Sequence, residues 1–432
     1  RRSSKIHSSD RTGFPMRVHF TNLGCKLNQA EIERLAREFT AAGHAVVGSL
    51  AEADLHVVNS CTVTHLAAHD SRKAAGRARR RGLPARTVLT GCHVAAHPQE
   101  AARIAGVDLV VPNAEKDRLL ARVHAAFPET VPAEPPVPCA APPFGHTRAL
   151  VKVEDGCNMR CSFCVIPATR GAQRSRPLTE VVAEVRQLVR RGFREVVLTG
   201  VQISAYRWGE ERLAGLVRAI LAETDVPRLR LTSIAPWDLE DGLLELWRHR
   251  RLCRHLHLSL QSGSTATLRR MRRPYTAESY LGLLERVRAA VPGAAVTTDV
   301  IVGFPGESEE EFAASLATVE AARFAKVHVF PYSPRPGTEA ETMPGQVSPV
   351  IKKERMERML AAAARAEREF QQSHLGRRET VLWERPKGGM GQGLTDNYLR
   401  VLCRDGAALR NRFSEVELAA IAEGGIAGKI VA

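Results

Sequence analysis

Short apolar runs alternate with amphipathic stretches along most of the chain. Between residues 16 and 125, the runs MRVHFTNLGC, ADLHVVNSC and RTVLTGC have the pattern of strands that each end in a cysteine, and residues 28–42 and 67–81 have helical spacing. Alternating strands and helices predict a small parallel α/β domain whose carboxyl strand ends form the ligand-binding edge. Cys25, Cys61 and Cys92 are therefore expected on one edge.

Six further β-like runs follow between residues 149 and 332, separated by helical segments: ALVKVEDG, REVVLTG, RLRLTS, HLHLSL, AVTTDVIVG and KVHVFPY. Six β/α units predict an incomplete (β/α)6 barrel with functional groups at the carboxyl ends of its strands. A long charged helix is expected over residues 349–372. Beyond it, ETVLWE and NYLRVLC, with glycines between them, predict a small β-barrel.

These patterns predict an α/β protein of several domains, since 432 residues exceed one ordinary hydrophobic core. We expect a small parallel α/β domain at 16–126, a proline- and alanine-rich linker at 127–146, the incomplete barrel at 147–372 and the β-barrel at 373–432. Cys139, inside the linker, is expected to bind no metal.

Composition narrows the functional classes. A net charge of +15 favours an acidic partner such as nucleic acid. The chain has no run of about 18 uncharged apolar residues, and its first 14 residues lack the apolar core of a signal peptide, so we expect a cytoplasmic protein with no membrane partner. Nine unevenly grouped cysteines suit metal ligation in a reducing compartment better than disulfides.

The segment DGCNMRCSFCVIP holds the most specific motif. Cys157, Cys161 and Cys164 have the spacing C-x3-C-x2-C in a loop after a predicted strand. Three thiolates for a cluster of four irons leave one iron open. S-adenosylmethionine (SAM) can chelate that iron and be cleaved to a 5'-deoxyadenosyl radical, with Phe163 packed beside the adenine. Zinc is the alternative, but zinc usually takes four ligands.

The strand-end cysteines Cys25, Cys61 and Cys92 have three interpretations. They could hold a second cluster, they could be buried core residues, or they could form a zinc site completed by nearby histidines. The candidate histidines are His56, His65, His69 and His93. Their shared position at strand ends favours the cluster.

The chain resembles the radical SAM methylthiotransferases from about residue 16 to its end. Besides the two sets of cysteines, the resemblance rests on RSRP at 174–177, LTGVQISAY at 198–206, SLQSGS at 259–264, TTDVIVGFPGE at 297–307 and FPYSPRPGT at 330–338. GCKLNQ, NSCTVT, SLQSGSTATLRRMRRPYT and IAPWDL are most similar to the MtaB-type tRNA enzymes, and GLTDNYLRV resembles a TRAM domain.

This resemblance implies that a methylthio group is added to C2 of N6-threonylcarbamoyladenosine at position 37 of tRNA, within the anticodon stem-loop. It implies two [4Fe-4S] clusters, SAM, and an electron donor such as flavodoxin or ferredoxin. The source of sulfur is not identified. Isopentenylated adenosine or a ribosomal-protein aspartate are alternative acceptors, and a non-catalytic zinc protein that binds RNA is the alternative of a different class.

The resemblance also implies roles for individual residues. Thr199, Gly200 and Val201 would lie near the methionine part of SAM, and Thr298 and Asp299 beside its nucleoside. Arg174 and Arg176 could pair with the SAM carboxylate or an RNA phosphate. The residues expected to face RNA are Arg72, Lys73, Arg77, Arg269, Arg270 and Tyr398.

Two positions depart from the MtaB-type pattern. Gln202 stands where histidine is common, and Ala235 where glutamate is common. Both lie at predicted strand ends, so they bear on the substrate subtype rather than on the cysteine chemistry.

Overall fold

The computed structural model describes residues 15–131 and 147–431. The chain divides into two units. The first covers the chain up to residue 145 together with Ala168–Arg170, and the second covers His146–Pro167 and Gly171–Ala432.

The first unit is a parallel sheet between two layers of helices. Its strands are β1 (Arg17–Asn22), β2 (Ala45–Val46), β3 (Leu55–Ser60), β4 (Arg86–Gly91) and β5 (Leu109–Val110), in the order β2-β1-β3-β4-β5. Its helices are α1 (Lys26–Ala41), α2 (His65–Ala75), α3 (Arg77–Arg80), α4 (Cys92–Ala96), α5 (Pro98–Arg103) and α6 (Leu119–Ala126). One core joins α1 and α6 to the sheet, and another joins α2, α4 and α5 to it.

The prediction of a single helix over residues 67–81 is wrong in one respect. The segment forms two helices, α2 and α3, which are separated by Gly76. Glycine is a weak helix former, and Gly76 ends the first helix. Most of the predicted linker, residues 132–146 with Cys139, lies outside the described residues; the preceding Pro128–Thr130 form a 3-10 turn.

The second unit contains the incomplete barrel. Its strands and short β-segments are β6 (Arg148–Lys152), β7 (Glu154–Asp155), β8 (Arg174–Ser175), β9 (Glu195–Thr199), β10 (Arg207–Trp208), β11 (Glu211–Arg212), β12 (Arg228–Leu231), β13 (Ser233–Ile234), β14 (His255–Leu258), β15 (Ala295–Val302) and β16 (Lys326–Pro331). Its helices are α8 (Leu178–Arg190), α9 (Leu213–Glu223), α10 (Asp241–Leu244), α11 (Thr265–Arg270), α12 (Ala277–Ala290), α13 (Glu309–Ala322), α14 (Glu339–Thr342) and α15 (Pro349–Gln372). Helix α7 (Ile166–Arg170) is divided, since its last three residues belong to the first unit.

The six predicted barrel strands are confirmed and all run parallel. β6, β9 and β12 form one sheet, and β13, β14, β15 and β16 form the next. β12 and β13 are separated by a single residue, so one stretch of chain pairs first with β9 and then with β14. Among the described residues no pairing joins β16 to β6, which leaves the barrel open as predicted.

The last part of the second unit is a closed five-stranded barrel, which confirms the predicted TRAM-like module. Its strands are β17 (Arg378–Trp383), β18 (Gly391–Leu394), β19 (Arg400–Cys403), β20 (Phe413–Ala422) and β21 (Gly425–Val431). Trp383 is fully buried in its core, so it fills the barrel rather than facing RNA.

The closed barrel docks at the amino ends of the barrel strands. Arg254, just before β14, pairs with Asp396 at 2.7 Å and Glu379 at 2.9 Å, and Arg148 at the start of β6 pairs with Glu384 at 2.9 Å. The carboxyl strand ends are therefore at the other end of the incomplete barrel. None of the described helices combines the length and apolar character that crossing a bilayer requires.

Candidate active site and its two cysteine triads

Cys25, Cys61 and Cys92, the N-terminal triad, lie at the carboxyl edge of the first sheet. Cys25 caps α1 three residues after β1, Cys61 directly follows β3, and Cys92 opens α4 directly after β4. β1 and β3 are neighbours whose following helices pack on opposite faces, which opens a crevice between these strand ends. The triad therefore shares one edge, as the sequence predicts.

Backbone packing brings the loop of Cys25 against Cys61. Gly24 has a φ of +93°, and a Cβ there would lie 2.6 Å from Cys61 Sγ, so a side chain is excluded. Burial raises the pKa of Cys61 to about 11, and the thiols of Cys92 and Cys25 add to the rise. Such thiols stay protonated until a metal displaces the proton. Three thiols that influence one another at a crevice fit the donor set of an iron–sulfur cluster.

A buried network of charges accompanies this triad. The Glu31 carboxylate on α1 accepts hydrogen bonds from Lys116 Nζ at 2.6 Å and Arg170 Nη1 at 3.1 Å, and all three side chains are at most 2% exposed. Arg170 also donates to Asn28 Oδ1, in the first turn of α1. Burial lowers the pKa of Lys116 and the Glu31 carboxylate opposes that shift, so Arg170 is the cation of this network that stays charged. Burial raises the pKa of Cys92, and Arg170 and Lys116 oppose that rise, so the network favours negative charge on the triad.

Cys157, Cys161 and Cys164, the barrel triad, occupy the loop that follows β6 and β7. β7 pairs with β8, and the backbone N–H of Cys157 donates to Gly171 O at 3.1 Å, which closes the base of the loop. Gly156 has a φ of +77°, and a Cβ there would lie 2.1 Å from Ala172 O. Only glycine permits this approach immediately before the first cysteine.

All three thiols of the barrel triad are half-buried. Burial raises the pKa of Cys157 and raises that of Cys164 to about 12. Arg273 Nη1 lies 3.3 Å from Cys161 Sγ and places a positive charge beside the triad. A low-dielectric loop with three sulfur donors and a nearby cation suits an anionic cluster.

The eight described cysteines are all free. Cys253 precedes β14 and Cys403 ends β19, so both lie away from the carboxyl strand ends of the barrel, and both are buried. The barrel loop thus offers three thiols, which matches a four-iron cluster with one open iron better than a four-ligand zinc site.

The loop after β9 lies beside the barrel triad. Glu154 on β7 is buried, and its Oε2 accepts the backbone N–H of Gln202 at 2.9 Å. A Cβ on Gly200 would lie 2.7 Å from the same carboxylate oxygen. Glu154 therefore fixes the strand end that carries Thr199, Gly200 and Val201, the residues predicted to lie near the methionine part of SAM.

Thr298 and Asp299 on β15, the two residues predicted to contact the nucleoside, differ in burial. Asp299 is 30% exposed and its Oδ2 lies 3.2 Å from His257 Nε2. Thr298 is fully buried, donates to Leu258 O at 2.7 Å and accepts from the Leu260 N–H at 2.8 Å. Successive side chains of a strand point to opposite faces. The side chain of Thr298 therefore points into the protein and that of Asp299 points to the other face, and a place beside the nucleoside stays a prediction for both residues.

Phe163 is half-buried within the barrel-triad loop. Its ring meets Phe304 edge-on at 6.1 Å and packs against a small cluster with Met271 and Tyr332. The aromatic cluster holds the loop in place. Packing of Phe163 beside an adenine stays a prediction.

Comparison with known proteins decides the family. The chain is 37% identical to threonylcarbamoyladenosine tRNA methylthiotransferase MtaB of Bacillus subtilis over 406 residues, which cover 89% of this chain and 90% of the relative. It is 35% identical to MtaB of Chlamydia pneumoniae, with 95% and 97% covered, and 37% identical to tRNA-2-methylthio-N(6)-dimethylallyladenosine synthase of Sphingopyxis alaskensis, with 88% and 89% covered. The chain belongs to the radical SAM methylthiotransferase family.

Two family models match the methylthiotransferase: the radical SAM superfamily over residues 151–319 and uncharacterized protein family UPF0004 over residues 17–112. The structure of the radical SAM methyltransferase TsrM from Kitasatospora setae, with cobalamin and a [4Fe-4S] cluster bound, shares the fold with a TM-score of 0.56, 17% identity, and 76% and 77% of the two chains covered. The methylthiotransferase transfers a methylthio group and uses SAM and [4Fe-4S] clusters. The non-catalytic zinc protein is thereby excluded.

Two of the arginines proposed for SAM or RNA have partners inside the methylthiotransferase. Arg176 donates to Glu184 Oε2 at 2.6 Å and to Lys152 O at 2.9 Å, so its charge is used to hold the strand end. Arg174 pairs with Asp155 at 2.9 Å, but its side chain is 50% exposed. A ligand contact stays a prediction for both arginines.

The basic residues predicted to face RNA differ in their exposure and in their ion pairs. Arg270 pairs with Glu311 and donates to Pro305 O at 3.1 Å, so its guanidinium joins α11 to the start of α13. Arg72 lies 3.5 Å from Glu100 and is partly exposed. Lys73 and Arg269 are exposed, and Arg77 is half-buried. A contact with RNA stays a prediction for all five residues.

Tyr398 lies in the turn by which the closed barrel docks. Its ring stacks on His255 at 4.7 Å, and the guanidinium of Arg230 lies 4.8 Å from the ring centroid. Arg230 also donates to Asp396 O at 2.8 Å and Thr395 O at 3.2 Å. The GLTDNYLRV segment thus has a packing role, and stacking of Tyr398 on bases stays a prediction.

The four candidate zinc histidines do not gather around the N-terminal triad. His65 and His69 are exposed, and His56 is buried with its Nε2 2.9 Å from Thr21 Oγ1. His93 groups instead with His97 and Glu100, whose ligand atoms lie within 4.8 Å of one another. That group contains no cysteine.

Sequence reasoning missed the charged residues that support both triads. Glu31, Lys116 and Arg170 lie far apart along the chain, and only the fold brings them together. A weak signal exists for Glu31, because it lies four residues from both Leu27 and Leu35 and so shares their buried face of α1. The sequence does not distinguish Arg273 from the other arginines of its run. Those arginines pair with carboxylates or face solvent.

Proposed function

We propose that this methylthiotransferase adds a methylthio group to C2 of N6-threonylcarbamoyladenosine at position 37 of tRNA. The observation that carries the proposal is the similarity to relatives of that name over about nine tenths of both chains. The net charge of +15 supports an RNA substrate.

Polar side chains near the carboxyl strand ends of the incomplete barrel favour an acceptor that carries a threonylcarbamoyl group. Gln202 Nε2 donates to Asp238 Oδ2 at 2.5 Å, and Ser204 Oγ accepts the backbone N–H of Ala235 at 2.9 Å. Arg174 adds a half-exposed guanidinium that can pair with a carboxylate. A threonylcarbamoyl group carries a carboxylate, a hydroxyl and a urea, all of which need polar partners, whereas an isopentenyl group needs an apolar pocket.

Isopentenylated adenosine is the second candidate acceptor. Its support is that the Sphingopyxis alaskensis enzyme named for dimethylallyladenosine is as similar in identity as the first MtaB relative. Gln202 and Ala235 depart from the MtaB-type pattern at the strand ends, which is where an acceptor would be distinguished.

We infer that the barrel triad holds the cluster that binds SAM and that the N-terminal triad holds the second cluster. When bound, the first cluster supplies one electron that cleaves SAM into methionine and a deoxyadenosyl group able to take hydrogen from an unreactive C–H bond. The protein orients the partners of this reaction. Glu154 fixes residues 200–202 beside the barrel triad, and Asp299, held by His257, offers a carboxylate for ribose hydroxyls.

The N-terminal triad needs its own charge balance. A [4Fe-4S]2+ cluster on three thiolates carries a net charge of −1, and Arg170 and Lys116, both paired with Glu31, oppose the rise in the pKa of Cys92 and so favour negative charge there. Matching a buried anion with fixed cations lowers the cost of keeping it out of water. The crevice is therefore suited to an iron–sulfur cluster rather than to three neutral thiols.

We further propose that the enzyme acts in the cytoplasm on the anticodon stem-loop and takes electrons from flavodoxin or ferredoxin. The proposed domains are residues 16–126, 147–372 and 373–432, with 127–146 as the linker.

Nucleoside analysis tests the acceptor. Reconstituted enzyme is incubated with SAM, sulfide, reductant and tRNA carrying either threonylcarbamoyladenosine or isopentenyladenosine, and the nucleosides are analysed by mass spectrometry. We expect a methylthio product from the first tRNA only. A product from the isopentenylated tRNA alone would replace the proposal with the second candidate.

A further inference from the structure

The guanidinium of Arg273 lies beside two stacked aromatic rings at the mouth of the barrel. Its Cζ lies 4.7 Å from the Trp237 ring centroid and 5.6 Å from that of Tyr275. The two rings are nearly parallel, with an interplanar angle of 20° and centroids 5.8 Å apart. The Tyr275 hydroxyl lies 2.9 Å from Ser259 O and accepts from Arg273 Nε at 3.3 Å. The group therefore has little freedom to turn elsewhere.

This fixed cation is aimed at the middle thiol of the barrel triad. Arg273 Nη1 lies 3.3 Å from Cys161 Sγ, and the side chain is partly buried. Within the described part of the chain, Arg273 makes no ion pair with a carboxylate. Its neighbours differ, because Arg270 pairs with Glu311 and Arg272 pairs with Glu339.

A charge at this place acts on the redox state of a cluster. A [4Fe-4S] cluster on three thiolates has a net charge of −1 when oxidised and −2 when reduced by one electron. An N–H donor to a ligand sulfur and a nearby positive charge both stabilise the more negative state, and both act more strongly where water is excluded. The guanidinium supplies both effects at one sulfur.

We propose that Arg273 is a positioning residue that raises the reduction potential of the SAM-binding cluster by donating to Cys161, with Trp237 and Tyr275 holding it in place. This rests on the assignment of that cluster to the barrel triad. Arg273 contacts a thiol that would bind the cluster, so it would act on the ease of the one-electron reduction. The electron itself comes from the external low-potential donor.

The test is a redox titration followed by electron paramagnetic resonance, without SAM. The background carries Cys25→Ala, Cys61→Ala and Cys92→Ala, so that one cluster is observed. In this background we compare the parent with Arg273→Gln, Arg273→Lys and Arg272→Gln. The Arg272→Gln variant is the matched control, because it removes the same charge one residue along the chain, from a side chain that pairs with Glu339.

We expect Arg273→Gln to lower the ratio of reduced to oxidised cluster at a fixed potential by about tenfold, which for one electron is about 59 mV. Arg273→Lys, which keeps the charge but not the planar fork, should fall between Arg273→Gln and the parent. Arg272→Gln should titrate like the parent.

Equal midpoints for Arg273→Gln and the parent would overturn the proposal, as would a loss of iron from Arg273→Gln with an unchanged midpoint in the cluster that remains. If Arg273→Gln assembles no cluster, Arg273→Lys decides: a lowered midpoint supports the role and the parental midpoint overturns it. A parent without a cluster on the barrel triad would instead refute the underlying site assignment.

Discussion

Glu31 shows how a single buried residue supports the cysteine chemistry. It is the carboxylate shared by Lys116 and Arg170, and the three side chains are almost entirely shielded from water. Breaking a buried ion pair leaves an uncompensated charge, which costs far more than loss of a surface pair. The network therefore stabilises the first unit and also sets the charge beside Cys92.

Glu31→Gln should lower the free energy of unfolding by about 3–5 kcal/mol, because the buried guanidinium of Arg170 loses its counter-charge. The matched control is Glu38→Gln on the same helix, whose partner Arg34 is a partly exposed i,i+4 neighbour, and it should cost less than about 1 kcal/mol. Urea denaturation of both variants measures the difference. Equal urea midpoints for Glu31→Gln and Glu38→Gln would show that the buried network stabilises the protein no more than a partly exposed ion pair does.

Residues with a strong local signature were predictable, and residues defined by contacts were not. The positions of the six cysteines at strand ends could be predicted from their spacing and from the strands before them. The burial of Thr298 could not, because the sequence does not say which face of β15 each residue occupies. The partners of Tyr398 and Arg270, His255 and Glu311, could not be predicted either, because they lie far away in the sequence.

At the scale of elements, the loop of the barrel triad depends on one glycine. Gly156 turns the chain from β7 into the loop with a positive φ, and a Cβ at this position would lie 2.1 Å from Ala172 O, too close for any side chain to fit. The hydrogen bond from Cys157 N–H to Gly171 O lies next to this contact. Displacing either strand of the turn moves the first thiol relative to the other two.

Gly156→Ala should therefore lose most of the barrel-triad iron while the fold remains. Gly192→Ala is the matched control, since Gly192 also has a positive φ of +89° but has no atom within 4 Å of its Cβ position. The control should cost about 1–2 kcal/mol from backbone strain alone and keep its iron. Iron and protein assays after anaerobic reconstitution distinguish the two; full iron in Gly156→Ala would contradict the role given to the turn.

Most elements were predictable because their periodicity is strong. α15 spans the residues expected from its charge pattern, and the six barrel strands appear where the apolar runs lie. The break between α2 and α3 was missed because apolar spacing continues through Gly76. Gly76, a weak helix former, therefore ends α2 although the apolar pattern continues.

At the scale of the whole second unit, the closed barrel docks at the end of the incomplete barrel away from the cysteines. Its TDNY turn is held by Arg254, Arg230 and His255. The sequence predicted both barrels but not this arrangement, because docking depends on charges contributed by separate strands. The GLTDNYLRV motif is thus explained by packing between the two barrels.

Arg254→Ala should loosen this docking, because Asp396 and Glu379 lose their shared partner. We expect faster proteolytic release of the segment after α15 and little change in iron content. Arg378→Ala, at the exposed start of β17, is the control and should leave the proteolysis rate unchanged. Equal rates for the two variants would show that Arg254 does not secure the closed barrel.

The central claim is that two cysteine triads divide the reaction, and one paired measurement tests it most directly. Reconstituted Cys157→Ala and Cys61→Ala enzymes are incubated with SAM, reductant, sulfide and tRNA, and both 5'-deoxyadenosine and methylthio-nucleoside are quantified. Cys157→Ala should form neither product, whereas Cys61→Ala should form 5'-deoxyadenosine without methylthio-nucleoside. Methylthiolated tRNA from the Cys61→Ala enzyme would contradict the account.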